Sequence, residues 1–125
     1  VILAVDDEAM ILRCLWRELR RAPSVVLLTA SSAEEAMERM AECAAHEALP
    51  SIVLTDYRMQ GMDGLRFLEW VGARYPEVVR MLWTADVSAA EVQQARARAL
   101  CAAVLPKPWP STGLLGLLCE ACGVG

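Results

Sequence analysis

The chain is nearly devoid of lysine: eleven of its twelve basic residues are arginine, and Lys107, set between Pro106 and Pro108, is the exception. The arginines are scattered, and the formal net charge is −4. Without a basic block there is no grip for a phosphate backbone, so direct nucleic-acid binding is not expected. Hydrophobic residues make up 56% of the chain, yet no uncharged apolar stretch reaches the eighteen or so residues that a membrane span needs. Residues Val1 to Val5 lack a basic leader and a small-residue cleavage site, so they do not read as a secretory signal and are expected to form a strand. Five cysteines, an odd number at irregular spacings, do not make a disulfide framework and suit a reducing, cytoplasmic compartment. Internal repeats, linkers and low-complexity tracts are also missing. The 125 residues therefore read as one domain spanning 1–125, long enough to enclose a core without staples.

What is present is an alternation. Five short apolar runs, Val1–Val5, Val25–Thr29, Ile52–Thr55, Val78–Trp83 and Ala102–Leu105, are separated by segments of helical period. Strict polar alternation is absent from the runs, as befits strands covered on both faces, so an α/β domain with a buried parallel sheet is expected. Ile11, Leu12, Leu15, Trp16 and Leu19 recur at helical spacing and mark helix one. Ser32 with Glu35, and Ser88 with Glu91, form capping-box patterns that start helices two and four. Asp63 and Gly64 open helix three, which runs to about residue 74 before Pro76. Helix five must fit Pro110–Cys122, where Gly113 and Gly116 each cost roughly 1 kcal/mol against Ala.

The polar residues that stand out sit at one repeated place, the carboxyl ends of the runs: Asp6 and Asp7 after the first, Asp56 after the third, Thr84 after the fourth, Lys107 after the fifth. In an open parallel sheet those ends share an edge, and ligands bind in the crevice outside them where the strand order reverses. Carboxylates brought together there repel, by about 4 kcal/mol for two unit charges 4 Å apart at an effective dielectric near 20. A cation would offset this. Hard oxygen donors without His or Cys suit Mg2+, which commonly binds through one or two carboxylates, waters and a substrate phosphate. Lys107 would supply a compact positive charge for phosphoryl oxygens and Thr84 a hydroxyl, and Asp56 would be the nucleophile that becomes an acyl phosphate.

Val5-Asp6-Asp7-Glu8, Asp56-Tyr57-Arg58-Met59 with Met62-Asp63-Gly64, Leu82-Trp83-Thr84-Ala85 and Leu105-Pro106-Lys107-Pro108 resemble the receiver domains of two-component response regulators. The resemblance covers the whole chain, and four pieces in the right order carry far more weight than any one. It implies a flavodoxin-like (βα)5 fold, doubly wound, with strand order 2-1-3-4-5. It further implies that Asp6 and Asp7 are the acidic metal pair, and that Asp7 and Asp56 ligate Mg2+ with the Arg58 backbone carbonyl. Asp56 would take phosphate from a sensor histidine kinase or phosphotransfer protein, with Thr84 and Lys107 reading it. By the same resemblance the chain is a switch and not an enzyme in its own right. Its surface of helix four, strand five and helix five would engage an output domain in the same chain, a separate effector, or a second copy. Because the chain begins inside a strand without Met, excision from a longer multidomain regulator is expected.

The sequence departs from the family pattern at three points. Val104 stands where receivers usually have Tyr or Phe. Gln60 stands where they often have Pro, which should loosen the loop after Asp56. Trp83 is bulkier than the usual aliphatic residue and is expected to fill the space left beside Val104. Two rival readings follow. One keeps the fold but not the switch, a constitutive scaffold that holds a partner through Leu114, Leu115, Leu117 and Leu118 on helix five. The other is a haloacid-dehalogenase-like phosphatase, which wants Asp-x-Asp after the first strand where this chain has adjacent Asp6 and Asp7. Cys119 and Cys122, at the end of an apolar segment without a second pair or a nearby His, read as ordinary thiols, and His46 as a surface residue.

Overall fold

The computed structural model describes residues 1–19, 26–84, 90–98 and 100–106. Within these, β1 (Ile2–Val5), β2 (Leu27–Ala30), β3 (Ile52–Asp56), β4 (Val79–Thr84) and β5 (Ala103–Pro106) alternate with α1 (Ala9–Leu19), α2 (Ala33–Ala45), α3 (Gly64–Arg74) and α4 (Ala90–Ala97). All strand pairs are parallel, and the sheet order is β2-β1-β3-β4-β5. This is the flavodoxin-like order expected from the sequence. The fifth helix, Lys107, Ser88 and the Cys119–Cys122 pair lie outside the described residues.

Alternation along each strand splits the core into two layers. Leu3 and Val5 of β1, Val53 of β3 and Leu82 of β4 pack with Ala33, Ala36 and Met40 of α2, Phe67, Leu68 and Val71 of α3, and Val92 and Ala95 of α4. Ile2, Ala4, Ile52, Leu54, Met81, Trp83 and Leu105 point the other way, where Leu15 and Leu19 of α1 cover them. Burying each of those two leucines contributes about 1.5–3 kcal/mol. The sheet therefore stays apolar on both faces, which explains why its runs lack polar alternation.

This layering corrects two expectations. Trp83 does not fill the space beside Val104. Leu82 pairs with Val104 and Trp83 with Leu105, so Trp83 lies in the α1 layer, while Val104 packs against the opposite layer together with Tyr57. In α1, Trp16 is 51% exposed and not part of the core. At 3.6 residues per turn it lies about 140° around from Ile11, beyond the stripe of Ile11, Leu15 and Leu19.

The helix ends follow their local chemistry. Ser32 Oγ accepts from the Glu35 amide at 3.1 Å, the forward half of the capping box. The Glu35 carboxylate turns to the Ser31 hydroxyl and to Arg39. At the other end of α2 the Ala48 amide donates to the Cys43 carbonyl at 2.8 Å and the Glu47 amide to Ala44 at 3.1 Å, a Schellman closure. Its left-handed position is held by Glu47 at φ 55°, where glycine is the usual occupant. Glu47→Gly should therefore raise stability by about 0.5–1 kcal/mol, read as a higher urea midpoint. An unchanged or lower midpoint would show that the left-handed turn carries no strain.

Candidate functional site

The strand ends gather where the topology predicts. Val5 pairs with Ala30 on one side and Thr55 on the other, so Asp6 continues β1 beside Asp56, the last residue of β3. The chain leaves β1 toward β2 and returns across it to β3, so the reversal of strand order falls between β1 and β3. One strand further, Trp83 pairs with Asp56, and Thr84 follows as the last residue of β4, 5% exposed. Thr84 in turn pairs with Pro106, the residue before Lys107.

Four carboxylates meet at this edge. Each of Asp6, Asp7, Glu8 and Asp56 offers an oxygen, and those oxygens lie within 4.8 Å of one another. The sequence singled out three of them. Glu8 was missed because three acidic residues running off a strand end follow no period. Asp6 is fully buried and Asp56 is 7% exposed, whereas Asp7 and Glu8 stand in solvent at the rim. The set has an enclosed floor and an open mouth.

Each of the three aspartates accepts from a backbone amide. Asp6 Oδ1 takes the Glu8 N–H at 2.9 Å, Asp56 Oδ1 takes the Tyr57 N–H at 2.9 Å, and Asp7 Oδ2 takes the Gln60 N–H at 3.3 Å. Each of these amides gives one carboxylate oxygen a charge-assisted partner and orients the group. They do not remove the mutual repulsion. At such separations each pair costs about 4 kcal/mol at an effective dielectric near 20, and a hard divalent cation would offset it. The donor set, four carboxylates with no His or Cys, fits Mg2+ in its chemistry.

The loop after Asp56 is tied down at several points. The Tyr57 carbonyl accepts from the Gly64 amide at 2.8 Å, and Asp63 caps α3 through the Arg66 amide at 2.9 Å. Gly61 adopts φ 81°, and the next amide, that of Met62, points at Glu34 of α2 at 3.5 Å. The Arg58 side chain is exposed and lies over the Tyr57 ring at 5.4 Å. Burial pushes the Tyr57 phenol above its ordinary range, and the carboxylates of Glu91 and Asp63 push the same way against Arg58. The carboxylate of Glu91, in the first turn of α4, therefore acts electrostatically on the residue after Asp56.

Comparison with known proteins agrees with this geometry. The family description "Response regulator receiver domain" matches residues 2–118. The hydrogenase transcriptional regulatory protein HoxA of Cupriavidus necator is 31% identical over 120 residues, covering 96% of this chain and 23% of HoxA. Among solved structures, the chemotaxis response regulator CheY4 of Vibrio cholerae superposes with a TM-score of 0.81 at 25% identity, covering 96% of each chain. The signal receiver domain of an HD domain-containing protein from Pseudomonas fluorescens gives 0.82 at 27% identity, over 98% of this chain and 85% of that one. The chain spans between 18% and 32% of the length of the curated relatives it matches. No helix among the described residues is long and apolar enough to cross a membrane. A match along nearly the whole chain, on a sheet of this order with acidic residues at its switch point, leaves one conclusion: the chain belongs to the response regulator receiver domain family.

Proposed function

We propose that this domain is a phosphorylation switch in which Asp56 accepts a phosphoryl group from a phosphohistidine of a sensor kinase or phosphotransfer protein. The observation that carries the reading is the meeting of Asp6, Asp7 and Asp56 at the switch point of the sheet, with buried Thr84 one strand away. Asp6, Asp7 and Asp56, with the Arg58 carbonyl, would hold Mg2+. The ion supplies charge neutralisation between the carboxylates and the incoming phosphoryl oxygens. An Asp56 oxygen attacks phosphorus, the bond to the histidine nitrogen breaks, and an acyl phosphate forms. Thr84 donates its hydroxyl to a phosphoryl oxygen, and Lys107 pairs with another. The surface of α4, β5 and the fifth helix then changes its preference for an output domain, a separate effector or a second copy. Domain boundaries of 1–125 within a longer multidomain regulator, and a cytoplasmic location, belong to the same reading, and any output enzyme lies outside this chain.

The test is incubation with Mg2+ and acetyl phosphate or beryllofluoride, followed by intact mass and light scattering. Wild type should gain one phosphoryl group and Asp56→Ala none. An adduct that persists in Asp56→Ala, or none in wild type, sinks the assignment. Val104, in place of the usual aromatic residue, favours the scaffold as a second reading. Light scattering separates the two, because the switch shifts in oligomeric state with beryllofluoride and the scaffold does not. Membership in the receiver family sets aside the dehalogenase-like phosphatase.

A further inference from the structure

We propose that the backbone amide of Gln60 is the positioning donor for Asp7 and that it couples divalent-cation occupancy to the loop between β3 and α3. The inference rests on the reading of the acidic cluster as a Mg2+ site.

The three aspartates are braced differently. Asp6 is held by the amide two residues on and Asp56 by the amide next to it, so those bonds form within one strand end. Asp7 is held by an amide 53 residues away, and this bond alone of the three crosses from the end of β1 to the loop beyond β3. Asp7 is also the one of the three that stands exposed, where rotamer freedom is largest and an external brace matters most. One oxygen, Oδ2, faces the amide, and a carboxylate with two oxygens can keep that bond while presenting the other to a cation. Hydrogen bonds to a ligating carboxylate orient it, and their loss typically costs 10–100-fold in metal affinity.

Position 60 contributes through its N–H. Its side chain is exposed, and the bond uses the main chain. Every residue except proline supplies that donor, so the loosening expected from losing the proline common in receivers is opposed by a gain of one hydrogen bond. Gly61 at φ 81° follows at once, and the Met62 amide turns to Glu34, so amides on either side of Gly61 face two carboxylates from different elements. A cation that fixes Asp7 thereby fixes the loop, and by linkage a fixed loop favours the cation.

The experiment is a MgCl2 titration of the full chain followed by calorimetry, with amide hydrogen exchange over residues 58–62. Wild type and Gln60→Ala should bind Mg2+ within about twofold of each other, and both should show slower loop exchange when the ion is added. Gln60→Pro should bind about tenfold more weakly, without the slowing. Because proline also restricts φ, an amide-to-ester replacement at residue 60 serves as the second variant and should behave like Gln60→Pro. Equal affinity in wild type, Gln60→Pro and the ester overturns the inference, as does a loss in Gln60→Ala as large as in Gln60→Pro. A wild type that binds no Mg2+ defeats the metal reading itself and the inference with it, an outcome distinct from the others.

Discussion

Trp83→Ala is expected to lower stability by about 3–5 kcal/mol while leaving the folded fraction able to take phosphate on Asp56. Trp83 heads the fully buried side chains by volume and lies in the layer between the sheet and α1, with Ala4, Leu15, Leu54, Met81 and Leu105 around it. Truncation to a methyl group removes its transfer free energy and leaves a cavity that the strands cannot close, because their spacing is fixed by the ladder. A domain of this kind is stable by only about 5–15 kcal/mol, so the loss is roughly a fifth of the total or more. The acid site should survive, since Trp83 meets Asp56 through the main-chain pairing of β3 and β4, which the substitution leaves in place, and the Asp56 carboxylate keeps its bond from the Tyr57 amide. Urea unfolding followed by far-UV circular dichroism is the suitable measurement, because the substitution removes one of the four Trp residues and disturbs fluorescence. The midpoint should fall at unchanged slope. A loss below about 1 kcal/mol would mean that the α1 layer is loosely packed and that the sheet is held from its other face.

The strand ends show what the sequence made legible and why it stopped short. Apolar runs located all five strands, yet β2 and β5 end one residue later than their runs, at Ala30 and Pro106, and β3 and β4 do so at site residues, at Asp56 and not Thr55 and at Thr84 and not Trp83. A run read by side-chain chemistry stops where the polar site residue begins. The backbone ladder continues through that residue, so Asp56 and Thr84 sit in the sheet and are held as rigidly as the core. The convergence of Asp6, Asp7 and Asp56 was legible because parallel topology puts every carboxyl end on one edge. The facing of Trp83 was not, since it depends on the register of β4 against β5, and a shift of one residue reverses every side chain. The Gln60 bond to Asp7 was also hidden, because main-chain amides leave no mark in the identities of residues. Lys107 lies outside the described residues, so its place beside the acids is part of the proposal.

Gly64→Ala should damage fold and site together. Gly64 opens α3, is buried, and donates its amide to the Tyr57 carbonyl at 2.8 Å. An added Cβ would land on the carbonyl oxygen of Asp56, with the Asp56 carbonyl carbon at 2.9 Å and the Tyr57 Cα at 3.1 Å. All three are main-chain atoms, so no side chain can rotate away. Either α3 moves off the end of β3 or the peptide after Asp56 turns, and that peptide carries the Tyr57 N–H held by the Asp56 carboxylate. The expected cost is at the upper end of the roughly 1–3 kcal/mol typical of overpacking, because the obstacle is main chain. Its signature separates it from a simple loss of core. Trp83→Ala should lose stability and keep phosphorylation per folded molecule, whereas Gly64→Ala should lose both, even where trimethylamine N-oxide restores the folded population. Intact mass after acetyl phosphate treatment, normalised to the folded fraction from circular dichroism, reads the difference. Wild-type labelling in refolded Gly64→Ala would show that the contact between α3 and β3 serves packing alone, and that the acceptor's geometry is set entirely by its own strand.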